Sequence, residues 1–337
     1  MCWRLRKFCV LLSVVTARGL RGDNGVSTST ALYMASVKSN RKTWFYHLCA
    51  AFTVTAWGLS LVSTRILLDH GLHPIEIYIY RFVIAYLAML AICHKKILAN
   101  SLKDELLFVV CGLVAGSVYF ISENVALEYT LVTNVSLITS LPPLLTVLLI
   151  GLVYKTSRPG KGAFIGSAIA FVGVGLVIFN SSFNMALNPI GDLLSLLAAF
   201  CWAIYGLLLK PLNAHYTEMF ITRKVFFYGV LTAIPFLAVE PEIADPHILL
   251  EPVCLWNLLF LALFCSMAGY LMWAFAIVGI GPVAASNYMY FQPIITMVFA
   301  MLTLGEKITP VGYAGCALIL AGVWLADHLQ RRKIKNN

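Results

Sequence analysis

The chain has 337 residues, of which 60% are hydrophobic and 12% charged, with a formal net charge of +9, whereas an average soluble domain is roughly 45–50% apolar and about 25% charged. So little polar surface cannot coat a water-soluble globule of this size, and long apolar runs with nine cysteines in no paired spacing also exclude a disordered chain, a nucleic-acid binder and a secreted disulfide scaffold. What remains is an integral membrane protein, in which the placement of the basic residues carries more information than their sum.

In chain order, residues 1–43 read as a cytoplasmic tail. Arg4, Arg6 and Lys7 precede a short apolar stretch from Phe8 to Val15 and then Ala17-Arg18, a pattern like a signal peptide without a good cleavage site. A working start at Met34 is the other reading of this segment. Ten apolar runs follow, each near the roughly 20 residues that a spanning helix needs. They lie at about 44–68, 75–93, 104–126, 131–154, 160–179, 190–209, 218–239, 254–278, 282–304 and 309–328, with a basic tail at 329–337. The runs are continuous and do not alternate, so helices are required and an outer-membrane barrel is not. The expected fold is all-α and polytopic, with ten transmembrane helices.

Lys and Arg are retained on the cytoplasmic side of a membrane. In this layout Arg41, Lys42, Lys95, Lys96, Lys103, Lys155, Arg158, Lys161, Lys210, Arg223, Lys224 and Arg331 to Lys335 all fall on one side. Asp69, Glu128, Glu240, Glu242, Asp245 and Glu251 fall on the other, where Arg65 and Lys307 are the basic exceptions. Both termini are therefore expected in the cytoplasm, with the protein in the plasma (inner) membrane.

The two halves repeat one another. His73-Pro74-Ile75-Glu76 through Arg81 matches His215-Tyr216-Thr217-Glu218 through Arg223 at identical spacing, and Trp57 precedes Arg65 as Trp202 precedes Lys210. Thr133-Asn134-Val135-Ser136 with Pro142-Pro143 parallels Ala284-Ala285-Ser286-Asn287 with Pro293. Each half, 44–179 and 190–328, holds five spans, and an odd number forces the second copy to enter the membrane from the other side. The repeat is expected to be inverted.

With these residues on the page, the sequence resembles the ten-helix branch of the drug/metabolite transporter superfamily, specifically its EamA-type permeases. The similarity rests on Trp57-Gly58 to Arg65, Pro74 to Arg81, the prolines of spans four and nine, and Leu304-Gly305-Glu306 before a glycine-rich last helix. Tyr154-Lys155-Thr156 departs from it, standing where the family usually has an acidic residue like Glu306, and Arg65 stands for a usual Lys. The resemblance implies a permease for small metabolites, with exporters of amino acids and related compounds prominent in the group.

A transport site needs polar or aromatic groups near the midplane, where irregular backbone lines a cavity. Pro142, Pro143 and Pro293 sit near the middles of spans four and nine, each removing a backbone donor. Asn134 and Ser136 in one copy and Asn287 in the other are placed to meet substrate, or else to satisfy the freed backbone. Trp57 and Trp202 lie in mid-span, away from the interfacial belt to which Trp44, Trp256 and Trp324 are assigned, and Tyr119, Asn124, Tyr270, Trp273 and Tyr290 complete the candidate substrate cavity, packing between helices being the alternative. A basic residue at the bilayer centre costs roughly 2.5–3.5 kcal/mol on insertion scales. Glu76 with Arg81, and Glu218 with Arg223, are accordingly expected as locks or gates, and Glu123 as a second partner for Arg81 or an ion-coupling carboxyl. Asp192 and Glu306 are expected to face water at helix ends.

Small-residue spacings at Gly162, Gly166, Gly312 and Gly315 suit close helix packing and leave monomer and homodimer both open. No metal-ligand spacing, no Walker-type phosphate loop and no catalytic set occurs in the sequence, so no cofactor, metal or enzyme activity is implied. The expected function is a secondary transporter of amino-acid-like metabolites, in the efflux direction, with a small-molecule substrate and the lipid bilayer as partners. A membrane-embedded lipid-modifying enzyme or a passive channel is the alternative.

Overall fold

The structure is a computed structural model that describes residues 40–94, 96–142, 145, 149, 165–166, 168–173, 176, 189–213, 215–239, 244–280 and 288–335, and these contain no strand. The tail to residue 39, Pro143, Asn287 and most of the expected fifth span lie outside this set.

The helices are α1 (Asn40–Asp69), α2 (Pro74–Ile92), α3 (Leu102–Tyr129), α4 (Val132–Ile138), α5 (Pro189–Asn213) and α6 (Glu218–Ala233), which runs on into a 3₁₀ turn at Ile234–Val239. Next come α7, built from Pro252–Leu259, Phe260–Ala268 and Gly269–Ile280, then α8 (Gln292–Thr303) and α9 (Pro310–Lys335). Six of them are long and apolar enough to cross a bilayer, and Gln292–Thr303 and Pro310–Gly322 are shorter apolar helices. With 30 residues, α1 reaches roughly 45 Å at 1.5 Å per residue, beyond the ~30 Å of a hydrocarbon core.

Local sequence explains where these helices start. Pro74 occupies the first turn of α2, and the Glu76 carboxylate accepts the His73 N–H at 3.2 Å. Ser101 caps α3 by accepting from Asp104 N at 3.1 Å, and Thr217 caps α6 by accepting from Phe220 N at 3.4 Å.

The exposure pattern is inverted relative to a soluble protein. Leu87, Leu106, Leu231, Phe264 and Leu302 are exposed, while Thr53, Ser117, Asn134, Ser136 and Thr296 are buried. Such a surface is stable only against lipid, so the chain is an integral membrane protein. Trp44, Trp256 and Trp324, the expected anchors, are likewise exposed.

Helices from the two halves interleave. α1 packs along α7 and α8, α3 along α5 and α6, and α2 against both α6 and α7. Glycine sets the closest approach: a Cβ on Gly112 would lie 2.5 Å from Tyr228 Cβ and 2.7 Å from Gly229 N, so α3 and α6 meet backbone to backbone. Phe82 anchors the centre, its ring 4.6 Å from Phe120 and 4.9 Å from Phe226.

Candidate functional site

Two of the long apolar helices lose α-geometry near their middles. Gly112–Val118 in α3 and Phe260–Ala268 in α7 are π-helical, with the wider i→i+5 turn. A π turn re-phases the side chains beyond it and frees a carbonyl for another partner. Tyr119 and Tyr270 follow directly after the two segments. The freed carbonyl in α7 is Cys265 O, which accepts the Trp57 indole N–H at 3.0 Å. The Thr53 hydroxyl adds a contact to Gly269 O at 3.1 Å, and Cys265 Sγ one to Ala56 O at 3.2 Å. A Cβ on Gly269 would stand 2.9 Å from Trp57 Nε1. Glycine there is what lets the indole reach α7.

These rings border a central cavity of about 50 Å³. Its walls are Trp57, Ser60, Leu61, Arg81, Tyr119, Phe120, Glu123, Thr139 and Pro142 from the first half and Trp202, Tyr270, Met289 and Gln292 from the second. Trp57 meets Tyr270 edge-on at 5.6 Å, and Tyr119 meets Trp202 at 5.2 Å. Each ring pair joins the two halves. Glu123 is buried, with Oε1 accepting the Tyr119 hydroxyl at 2.8 Å. Arg81 is 4% exposed, its Nε donating to Ser266 Oγ at 2.7 Å and its guanidinium 5.1 Å from the Phe82 and Phe120 rings.

Of the expected substrate residues, Trp57, Tyr119, Trp202 and Tyr270 thus share one cavity, with Pro142 beside them. Trp273 stands behind Trp57 at 5.5 Å. The structure places Asn124, Asn134 and Ser136 in interhelical bonds instead of in the wall. Asn124 Nδ2 donates to Pro74 O at 2.9 Å, Asn134 Nδ2 to Asp192 Oδ1 at 3.4 Å, and Ser136 Oγ to Thr296 Oγ1 at 2.9 Å. Pro293 lies in the first turn of α8, directly after a 3₁₀ turn at Met289–Phe291 that follows the helical Tyr288, and residues 281–287 are outside the described set. The Tyr290 side chain, like Pro143 and Asn287, is outside the described set.

Neither expected gate pair is an ion pair in this structure, as the five-residue spacing on one helix implies. Arg81 and Glu76 do not pair, because Glu76 is committed to the start of α2 and to Ala244 N at 3.1 Å. Arg223 bonds the carbonyls of Cys93 and Lys96 and makes no ion pair with Glu218. Among the described residues the ion pairs are Arg65 with Asp69 and Lys224 with Glu105. Tyr228 also donates to Glu105, and Ala99 N does so at 2.9 Å. Next to it Tyr216 accepts from Asn100 N at 2.6 Å and donates to Asp104 at 2.8 Å; desolvation raises its phenol above the ordinary value and keeps it a donor. These bonds tie together the Lys-rich ends of α2, α3 and α6.

Asp192 is corrected as well, whereas Glu306 stays partly exposed just past a helix end. Asp192 is fully buried, accepting from Thr130 Oγ1 at 2.7 Å and Asn134 Nδ2 at 3.4 Å. Glu306 caps α4 across the halves, accepting from Val132 N at 2.5 Å and Thr133 Oγ1 at 2.8 Å. Both carboxylates found donors distant in sequence, at the end of the molecule opposite the Lys224 cluster. Ser60, Phe120, Met289 and Ser266 were not singled out in the sequence; a hydroxyl in mid-span, as at Ser60 and Ser266, is the signal that marks two of them.

Comparison with known proteins bears on this geometry. The sequence profile of the EamA-like transporter family matches residues 44–179 and 189–326. An uncharacterized transporter of Archaeoglobus fulgidus is 30% identical over 85% of this chain and 98% of its own. A probable amino-acid metabolite efflux pump of Escherichia coli (strain K12) is 24% identical over 82% of this chain and 92% of its own. A crystal structure 15% identical in sequence superposes on 85% of this chain and 98% of its own, with a TM-score of 0.59, a likeness of fold alone.

Proposed function

The chain belongs to the EamA-like transporter family, and on that premise we propose that it is a secondary carrier exporting amino-acid-like metabolites by alternating access around the central cavity. The observation that carries this reading is the cavity itself, walled by Trp57 and Tyr119 from one half and Trp202 and Tyr270 from the other. A site shared between two halves opens to one side or the other when they rock. At about 50 Å³ the cavity holds a few waters, well short of the roughly 300–1,000 Å³ of small-molecule pockets. Helix movement must therefore accompany loading, as a carrier requires and an open channel does not.

In this reading ten spans form two inverted five-helix repeats, 44–179 and 190–328, in the plasma membrane, with both termini in the cytoplasm. The Glu105–Lys224 cluster is the cytoplasmic closure, and the Glu306 and Asp192 contacts are the outer one. The amino-acid assignment draws on the printed function of the E. coli relative and on aromatic walls that offer broad apolar faces. Uptake of labelled L-phenylalanine into proteoliposomes tests it. Saturation with rising concentration supports a carrier, and flux that stays proportional to concentration contradicts one.

A further inference from the structure

We propose that Arg81 is the anchor for a carboxylate of the transported solute, an assignment that rests on the carrier reading and specifies the chemistry of its site. Arg81 is 4% exposed and lines the central cavity. Its Nε is committed to Ser266 at 2.7 Å, and its guanidinium carbon lies 5.1 Å from the Phe82 and Phe120 ring centroids. The two terminal nitrogens make no hydrogen bond and no ion pair with the described residues. A guanidinium held this way presents its terminal fork, the edge whose geometry matches a carboxylate through two parallel N–H···O bonds.

The chain carries its own control. Arg223 stands at the same His, Glu, Arg spacing in the second half, and its terminal nitrogens are both spent on backbone carbonyls, those of Cys93 and Lys96. The fork is thus satisfied where it is structural and left open where it faces the cavity. A buried cation of this kind requires an anion when the site is dehydrated. Glu123, the carboxyl of the same cavity wall, makes no ion pair with Arg81 and accepts from Tyr119 at 2.8 Å, which leaves the fork available to an anion carried by the solute. The aromatic walls select one with an apolar body.

Calorimetric titration of the purified full-length protein with three probes tests this. L-phenylalanine, 3-phenylpropionate and 2-phenylethylamine share a ring; only the first two carry a carboxylate. Binding of those two, with the amine weaker by about tenfold or more, is the expected result. Arg81→Gln should weaken both acids by a similar factor and leave the amine where it was, with Arg81→Lys in between because it keeps charge and loses the fork. Equal binding of all three, binding of the amine alone, binding of none, or wild-type affinity for the acids in Arg81→Gln would overturn the assignment. The wild-type comparison decides the question even where the variant fails to fold. Binding is measured without flux, so the carrier reading fails on different grounds, an unsaturable flux in proteoliposomes.

Discussion

Glu306 Oε2 lies 2.8 Å from Thr133 Oγ1 while Oε1 accepts the Val132 N–H at 2.5 Å, so a residue just beyond α8 closes the N-terminus of α4. Gly305, at φ 67°, supplies the left-handed turn that aims the carboxylate there. The first N–H groups of a helix lack partners within it, and an anion at that end meets the positive pole of the macrodipole. Glu306→Ala should therefore lower unfolding free energy by about 1–2 kcal/mol, with Glu306→Gln intermediate because it keeps an acceptor and loses the charge. Thermal unfolding in detergent reads both; wild-type stability in the alanine variant would count against the cap.

The contact between α3 and α6 makes a prediction whose sign differs from helix propensity. In an open helix, Gly→Ala gains up to about 1 kcal/mol. At Gly112 the added methyl would meet Tyr228 Cβ at 2.5 Å and Gly229 N at 2.7 Å, neither of which is a flexible side-chain end. Gly112→Ala should instead destabilise by about 1–3 kcal/mol, the usual range for overpacking. An unchanged or raised melting temperature would show that the two helices are further apart.

At the Lys-rich end, Lys224 is buried and Glu105 largely so. Removing Glu105 leaves a buried cation without its partner, a loss of about 1–3 kcal/mol for a part-buried pair, whereas removing both leaves no orphan. Glu105→Ala should thus unfold more readily than the Glu105→Ala, Lys224→Ala double variant, and a double-mutant cycle in detergent gives the coupling directly. Additive losses would dissolve the pair.

How much of this was legible in sequence depends on the kind of signal. Trp57, Tyr119, Trp202 and Tyr270 stood out because bulky rings in mid-span are conspicuous in an apolar run, and they share the cavity. Arg81 was conspicuous as a charge inside a span, but its hydroxyl partner Ser266 lies 185 residues away, and no local pattern names such a partner. Asp192 and Glu306 sit within a turn of helix ends, where a carboxylate ordinarily meets water; only tertiary packing brought Thr130 and Thr133 to them. The π-helical stretches gave no signal, since Phe260–Ala268 is apolar throughout apart from Ser266, and apolar composition does not distinguish a wide turn from an α turn. Composition determined which segments enter the membrane, and packing determined what each polar group does there.

The aromatic walls yield a prediction for transport. Trp57→Ala removes both a ring face and the indole N–H bonded to Cys265 O at 3.0 Å, while Trp57→Phe keeps a ring and loses only the bond. Combined with Trp202→Ala, Trp57→Ala should raise the KM for L-phenylalanine by about tenfold or more, as loss of stacking worth about 1–3 kcal/mol implies. Trp57→Phe should retain more of the affinity. A double variant with wild-type KM would place the substrate somewhere else.

Alternating access around one cavity is the central claim, and counterflow tests it most directly. Proteoliposomes loaded with unlabelled L-phenylalanine are diluted into a trace of labelled L-phenylalanine, and its entry is compared with entry into empty vesicles. A carrier returns loaded faster than empty or accumulates label transiently against its gradient, so the account predicts acceleration by solute on the far side. Equal rates in loaded and empty vesicles, with flux rising in proportion to concentration, would contradict it.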